Sequence, residues 1–191
     1  MKKEHRFLTS RDDYPIAILL SLSNELESDL IKRMEFFYNN LPGKYFKKGN
    51  DLQFLSQILS IFQLAELKDN IVKLNELFHN MKKNKLKISR RSYPLIGIIY
   101  FLYQDNLPKA IEDILAIFNE MNSMKGFKWS KDYNTFLSML AVITEKSKNI
   151  DSNLIDTGIN LAIENIIQAQ TAAIIAATSA ATVAATSSGS N

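Results

Sequence analysis

Apolar residues recur along this chain at helical spacing, in blocks about 40 residues long. Ser10, Gly49, Ser89 and Ser130 mark equivalent points, spaced by 39, 40 and 41 residues. Three residues before each mark stands Phe7, Phe46, Leu86 or Phe127. Six after it stands Ile16, Leu55, Leu95 or Phe136, and nine after it Leu19, Ile58, Ile98 or Met139. Ten after it come Leu20, Leu59, Ile99 and Leu140; twelve after it, Leu22, Ile61, Phe101 and Val142. Sites at these offsets form one stripe on an α-helix. The spacing predicts first helices over roughly 13–23, 51–65, 92–104 and 131–146. Pro15 and Pro94 fall in a first turn, where a missing N–H is harmless. Asp13, Asp51, Ser92 and Asp132 are expected as N-cap acceptors. The stretches Tyr14 to Leu20 and Tyr93 to Tyr103 are apolar nearly all round, which predicts burial on several sides.

A second, amphipathic helix follows in each block. Its stripe is Ile31, Met34, Tyr38, Leu41, then Ile71, Leu74, Phe78, Met81, then Ile111, Ile114, Phe118, Met121. Period and two-helix content predict an all-α fold, a right-handed α-solenoid of about four helix-hairpin repeats of ~40 residues. The repeats are expected at about 7–45, 46–85, 86–126 and 127–150, making one unit over 1–150. Trp129, beside Phe127, reads as part of the apolar anchor of the fourth.

From Asp151 the character changes. Large apolar residues thin out after Ile167, no charge follows Glu164, and Ala, Thr and Ser dominate. A long Ala-rich C-terminal helix over 151–185 is expected to complete the last repeat, with a disordered tail at 186–191. Gln168, Gln170, Thr171, Thr178, Ser179 and Thr182 argue against a membrane span there. The first helix has no earlier repeat to cover it. Self-association through the first hairpin or the Ala-rich tail is therefore expected.

Composition removes several chemistries. The 191 residues include no cysteine, which excludes a disulfide framework, a thiolate metal site and a cysteine nucleophile. With no signal peptide in the opening residues, this favours a cytoplasmic protein. The two histidines, His5 and His79, fall in different repeats, and no metal site is expected. The six glycines are scattered and form no phosphate loop. Glu112 and Asp113 are adjacent on a helix and point apart, so they form no dyad. Asp12 and Asp13 are explained by capping and the helix dipole. No catalytic residue and no cofactor are expected, and the chain reads as a non-enzyme.

Net charge is only +3, but its distribution is uneven. The turns leading into the first helices, at 2–13, 44–51, 82–91 and 125–132, hold 16 of the 23 basic residues and five acids. Helix dipoles favour basic residues at helix C-termini and account for the sign of this segregation. They do not require six basic residues among the ten from Lys82 to Arg91. The candidate anion-binding edge is Lys47, Lys48, Lys82, Lys83, Lys85, Lys87, Arg90 and Arg91. A candidate polar groove consists of Asn50, Asp51 and Gln53.

The string Phe46-Lys47-Lys48-Gly49-Asn50-Asp51-Leu52-Gln53-Phe54-Leu55-Ser56, the start Phe7-Leu8-Thr9-Ser10 with Asp12-Asp13-Tyr14-Pro15, and the Ala-rich tail resemble a bacterial family. It is domain of unknown function number four thousand and three, mostly from Gram-positive bacteria. The resemblance covers nearly the whole chain and implies a helical protein with no known activity. Against the family pattern, the chain looks like a C-terminal portion or short form. It also has Gln57 where members often have His, which weighs against a metal or proton-transfer role there. The leading expectation is a non-enzymatic scaffold or protein-interaction module with another protein as partner. The alternatives are weak, sequence-independent binding of nucleic acid or another anionic surface through the basic edge, and an enzyme using the polar groove.

Overall fold

The computed structural model describes residues 26–62, 64, 66–127, 130–148, 159–160, 163–164 and 167–168. The helix expected at 13–23, Trp129, all but six residues of 151–185 and the segment 186–191 lie outside the described residues. Those described are all-helical, with no β-strand among them. The helices are α1 (Glu27–Asn40), α2 (Asn50–Ile61), α3 (Leu67–Lys83), α4 (Tyr93–Leu102), α5 (Leu107–Ser123) and α6 (Lys131–Ser147). Two 3-10 turns, Arg90–Ser92 and Lys125–Phe127, precede α4 and α6.

The helices meet in a regular order. Helices α2, α4 and α6 lie against one another in succession, and so do α1, α3 and α5. Across the two series, α1 packs on α2, α3 on α4 and α5 on α6. The periodic side chains fill the space between. Phe46, Leu86, Leu55, Leu95, Phe136, Ile58, Ile98, Met139, Leu59 and Ile99 are all buried, while Ile61, Phe101 and Leu140 are half-buried at the margin. In the second series Met34, Tyr38, Leu41, Leu74, Phe78, Met81, Ile111, Ile114 and Phe118 are buried.

Helix α4 sits at the centre, and every residue from Ser92 to Tyr100 is buried. Its sequence, YPLIGIIYFL, leaves no polar face to present to water. Gly97 is where α2 comes closest. A Cβ placed there would lie 2.5 Å from Leu55 Cδ1 and 3.5 Å from Ile58 Cγ2. Polar ties fasten the ends. The Arg33 guanidinium on α1 donates two hydrogen bonds, at 3.1 and 2.9 Å, to the Ser60 carbonyl. That carbonyl is one of the last four of α2, which have no intrahelical partner. Tyr100 donates its hydroxyl to Asn70 at the start of α3, and Asn70 in turn donates to the Glu66 carbonyl at 3.2 Å. Tyr103, just past α4, donates to Asp113 on α5 at 2.8 Å, and Lys109 donates to the same carboxylate.

Two sequence expectations require correction. Helix α2 ends at Ile61 rather than near 65. Phe62 turns aside to stack on Phe101 at 4.0 Å, and no proline or glycine marks the stop. The expected N-caps also differ. Asp51 and Asp132 lie inside the first turns of α2 and α6, beside the positive end of each helix dipole, and the cap positions are Gly49 and Ser130. Ser92 does precede α4 but caps nothing, because the 3-10 turn runs straight into the helix and leaves Ser92 with helical φ and ψ rather than extended ones.

The end of α3 is closed by backbone hydrogen bonds of the Schellman type. The Leu86 N–H reaches the Met81 carbonyl at 3.2 Å and the Lys85 N–H reaches that of Lys82 at 2.9 Å. Leu86 and Met81 are both buried, supplying the apolar contact that accompanies this cap. The residue this motif holds in the left-handed region is usually glycine; here it is Lys85, with φ 63°. At the start of α2 the left-handed position does carry glycine, Gly49 with φ 143°.

Of the tail, Ile159 is fully buried in the core, Ile163 is half-buried against it and Ile167 is 43% exposed. Contact with the helical body thus fades along these three positions.

Two of the three positive-φ positions among the described residues, Lys85 and Gly49, predict mutational effects of opposite sign; the third, Glu66 with φ 49°, stands at the N-cap of α3. Lys85→Gly is expected to raise the unfolding free energy by about 1 kcal/mol, since glycine carries no Cβ penalty in that conformation. Gly49→Ala is expected to lower it by at least about 1 kcal/mol. Urea unfolding of the two variants checks both, and a Lys85→Gly variant no more stable than the parent would contradict the strain at residue 85.

Candidate functional site

The turn 42–49 and the segment 84–92 are far apart in sequence, and one side chain joins them. The Tyr93 hydroxyl donates to the Tyr45 carbonyl at 2.9 Å and accepts from the Lys47 N–H at 3.3 Å. Its ring lies edge-on to Phe46 and Phe78. Burial pushes the Tyr93 hydroxyl above its usual range, so it stays protonated and available as a donor. The turn 42–49 is closed further by Gly43 N–H on the Phe46 carbonyl, 3.0 Å.

This joint sets the two segments that carry the basic candidates side by side. Lys47, Lys48, Lys82, Lys83, Lys85, Lys87, Arg90 and Arg91 are all exposed. Lys47 donates to the Gly43 carbonyl at 2.8 Å, Lys48 reaches Asn39 Oδ1 at 3.4 Å, and Lys82 lies over the Phe78 ring at 6.0 Å. Lys82 and Lys83 belong to the last turn of α3, where the helix dipole favours them. Lys85, Lys87, Arg90 and Arg91 lie beyond that helix.

The polar candidates do not share one opening. Asn50 is exposed, Asp51 half-buried and Gln53 buried. Two residues apart on a helix, Asp51 and Gln53 are turned roughly 160° from each other. Burial pushes the Asp51 carboxyl up, against the pull of the Arg91 and Arg90 charges beside it. Gln53 forms a stripe with Gln57 and Ser60 on the side of α2 opposite the Leu55 and Ile58 contacts to α4. Both side-chain polar atoms of Gln53, and the Ser92 hydroxyl, are buried without a hydrogen-bond partner.

Sequence reasoning missed a second polar pair. The Tyr45 hydroxyl lies 2.7 Å from His79 Nδ1, beside an open cleft of about 660 Å³ lined by Ile71, Val72, Asn75, Glu76 and Asn80. The pairing links repeat-anchor and second-helix residues 34 positions apart, and periodicity alone carries no signal for it. Elsewhere, burial pushes the Asp113 carboxyl up, but hydrogen bonds from Lys109 and Tyr103 with the nearby Lys109 and Lys146 charges outweigh it and hold the group below its usual range. That cluster ties α4 to α5. Among the described residues no group of three or more His, Asp or Glu is placed to hold a metal, and no helix is long and apolar enough to cross a membrane.

A family model described as "Protein of unknown function (DUF4003)" matches residues 1–172. The chain belongs to this family. It is similar to "Uncharacterized protein YeaA" of Bacillus subtilis (strain 168), with 32% identity over 174 residues, which is 91% of this chain and 50% of that protein. The chain thus spans about half the length of this curated relative. No solved structure matches. The DUF4003 match includes both basic turns and the start of α2.

Asp51 makes the electrostatics of this edge measurable. Its folded pKa is raised, so on a rising pH the unfolded chain loses the proton first, near the usual carboxylate value of about 3.9. Stability therefore falls as pH climbs from there to the raised folded value, and the deficit persists above it. Asp51→Asn is expected to be more stable than the parent at neutral pH, with the difference shrinking toward pH 3. Urea unfolding across that range checks this, and a difference that grows on acidification would reverse the assignment.

Proposed function

We propose that this DUF4003 chain is a non-enzymatic helical-repeat module that binds another macromolecule. In this reading the hairpins of about 40 residues form a right-handed α-solenoid. The supporting observation is the order of contacts, with α2, α4 and α6 in one series and α1, α3 and α5 in another. Stacks of this kind expose extended edges and faces contributed by successive repeats, which suits recognition of large partners. The polar groups offer less to a reaction. Arg33, Tyr93, Tyr100, Tyr103 and Asp113 are engaged in joining segments, and Asn50, Asp51 and Gln53 are divided between faces.

Crosslinking in native cells with a tagged chain, followed by mass spectrometry, tests the reading. A macromolecular partner crosslinked to residues of two successive repeats is the expected result. Turnover of a small molecule by the purified chain, lost in Asp51→Asn or Gln53→Ala, would replace it with the enzyme reading.

A further inference from the structure

We infer that the edge formed by the turn 42–49 and the segment 82–91 is a docking surface for the phosphate backbone of nucleic acid. The inference rests on the interaction-module reading and names its partner class. Three observations carry it. First, Tyr93 holds the two segments together through hydrogen bonds of 2.9 and 3.3 Å, and Lys82 lies over the Phe78 ring, which itself stacks on Tyr45, so the two basic segments adjoin. Nine basic residues and no acid fall in these stretches, and Asp51, which follows at the start of α2, is half-buried with its ionisation disfavoured. Lys82, Lys83, Lys85 and Lys87 are exposed and make no ion pair with any described carboxylate. Such a cluster concentrates positive potential and favours a polyanion by releasing its condensed counterions.

Second, Lys85 occupies the left-handed cap position after α3, where glycine would be less strained. The fold closes its helix there with good backbone hydrogen bonds and a buried Leu86, yet the cap residue is a cation. Residues in strained backbone conformations concentrate at functional sites. The helix dipole is already complemented by Lys82 and Lys83, so it does not call for Lys85, Lys87, Arg90 and Arg91 as well.

Third, the surface lacks what a lipid interface requires. A peripheral membrane site buries apolar side chains among its basic residues. Here Phe46 and Leu86 are buried, Tyr45 and Ile88 are half-buried against the core, and no large apolar side chain of either segment is exposed. Lysine and arginine side chains directed at phosphates carry no sequence information, and recognition is expected to be sequence-independent.

Fluorescence anisotropy with the full chain provides the test, using a labelled single-stranded RNA of about 20 nucleotides and a DNA duplex of similar length. Binding is expected to fall tenfold or more between about 50 and 200 mM salt. Reversal of Lys82, Lys83, Lys85 and Lys87 to Glu is expected to weaken it at least tenfold. Lys85→Gly, which leaves the fold at least as stable, is expected to weaken it severalfold, so loss of binding is separable from loss of structure. Binding that survives the fourfold reversal, or is insensitive to salt, overturns the inference. So does retention on phosphatidylserine vesicles or polyglutamate with none on either nucleic acid, which assigns the edge to a membrane or an acidic protein. If no polyanion binds while the charge-reversed chain still crosslinks its cellular partner, the edge inference fails and the interaction-module reading stands.

Discussion

The approach of α2 to α4 at Gly97 is the constraint on which the rest of the described structure depends. A Cβ at that position would overlap Leu55 Cδ1 at 2.5 Å, and Leu55 is itself fully buried. Close contact at this point lets Leu55, Ile58 and Leu59 interlock with α4, each such buried side chain contributing about 1.5–3 kcal/mol. Because α4 is apolar on all sides, it serves as a hub, touching α2 and α6 in its own series and α3 in the other. Shifting α2 outward would open cavities around a helix that has no polar face to turn toward water.

Polar interactions act at the two ends of this hub. Near its start, Tyr93 fixes the turn 42–49, which leads into α2. At its far end Tyr100 and Tyr103 reach the beginning of α3 and the body of α5. All three tyrosines have an apolar ring in the core and a hydroxyl at its margin, a combination suited to joining segments across a buried helix. The junction of the two basic segments is therefore a consequence of the apolar centre, made by a residue of the same helix that fills the core.

Much of this was legible from the chain. Matched apolar positions about 40 residues apart placed α2, α4 and α6 by range, and α1, α3 and α5 by their stripes. The uninterrupted run from Tyr93 announced the buried α4. Backbone detail was less accessible. Gly49, Ser89 and Ser130 occupy equivalent points in the pattern, yet only Gly49 is left-handed; Ser89 and Ser130 have φ −84° and −133°. Lys85 carried no sign of its left-handed φ, because the usual signal is glycine. The basic candidates of both turns were grouped from the repeat pattern, but the contact that joins those turns, a tyrosine hydroxyl 46 residues from Lys47, had no signal in the sequence. Gln53 was grouped with Asn50 and Asp51 in a polar groove and is buried apart from them, since the hydrophobic pattern leaves the side of α2 opposite α4 unassigned.

A double-mutant cycle between Gly97 and Leu55 tests the central contact most directly. In the parent background Gly97→Ala should cost about 1–2 kcal/mol, the overpacking penalty less the gain in helix propensity. In a Leu55→Ala background the added methyl has room, and the same change should be neutral or stabilising by up to about 1 kcal/mol. A coupling energy of at least about 1 kcal/mol is the predicted result. Additive effects of the two substitutions in urea unfolding would contradict the claim that the α2–α4 approach is set at this point.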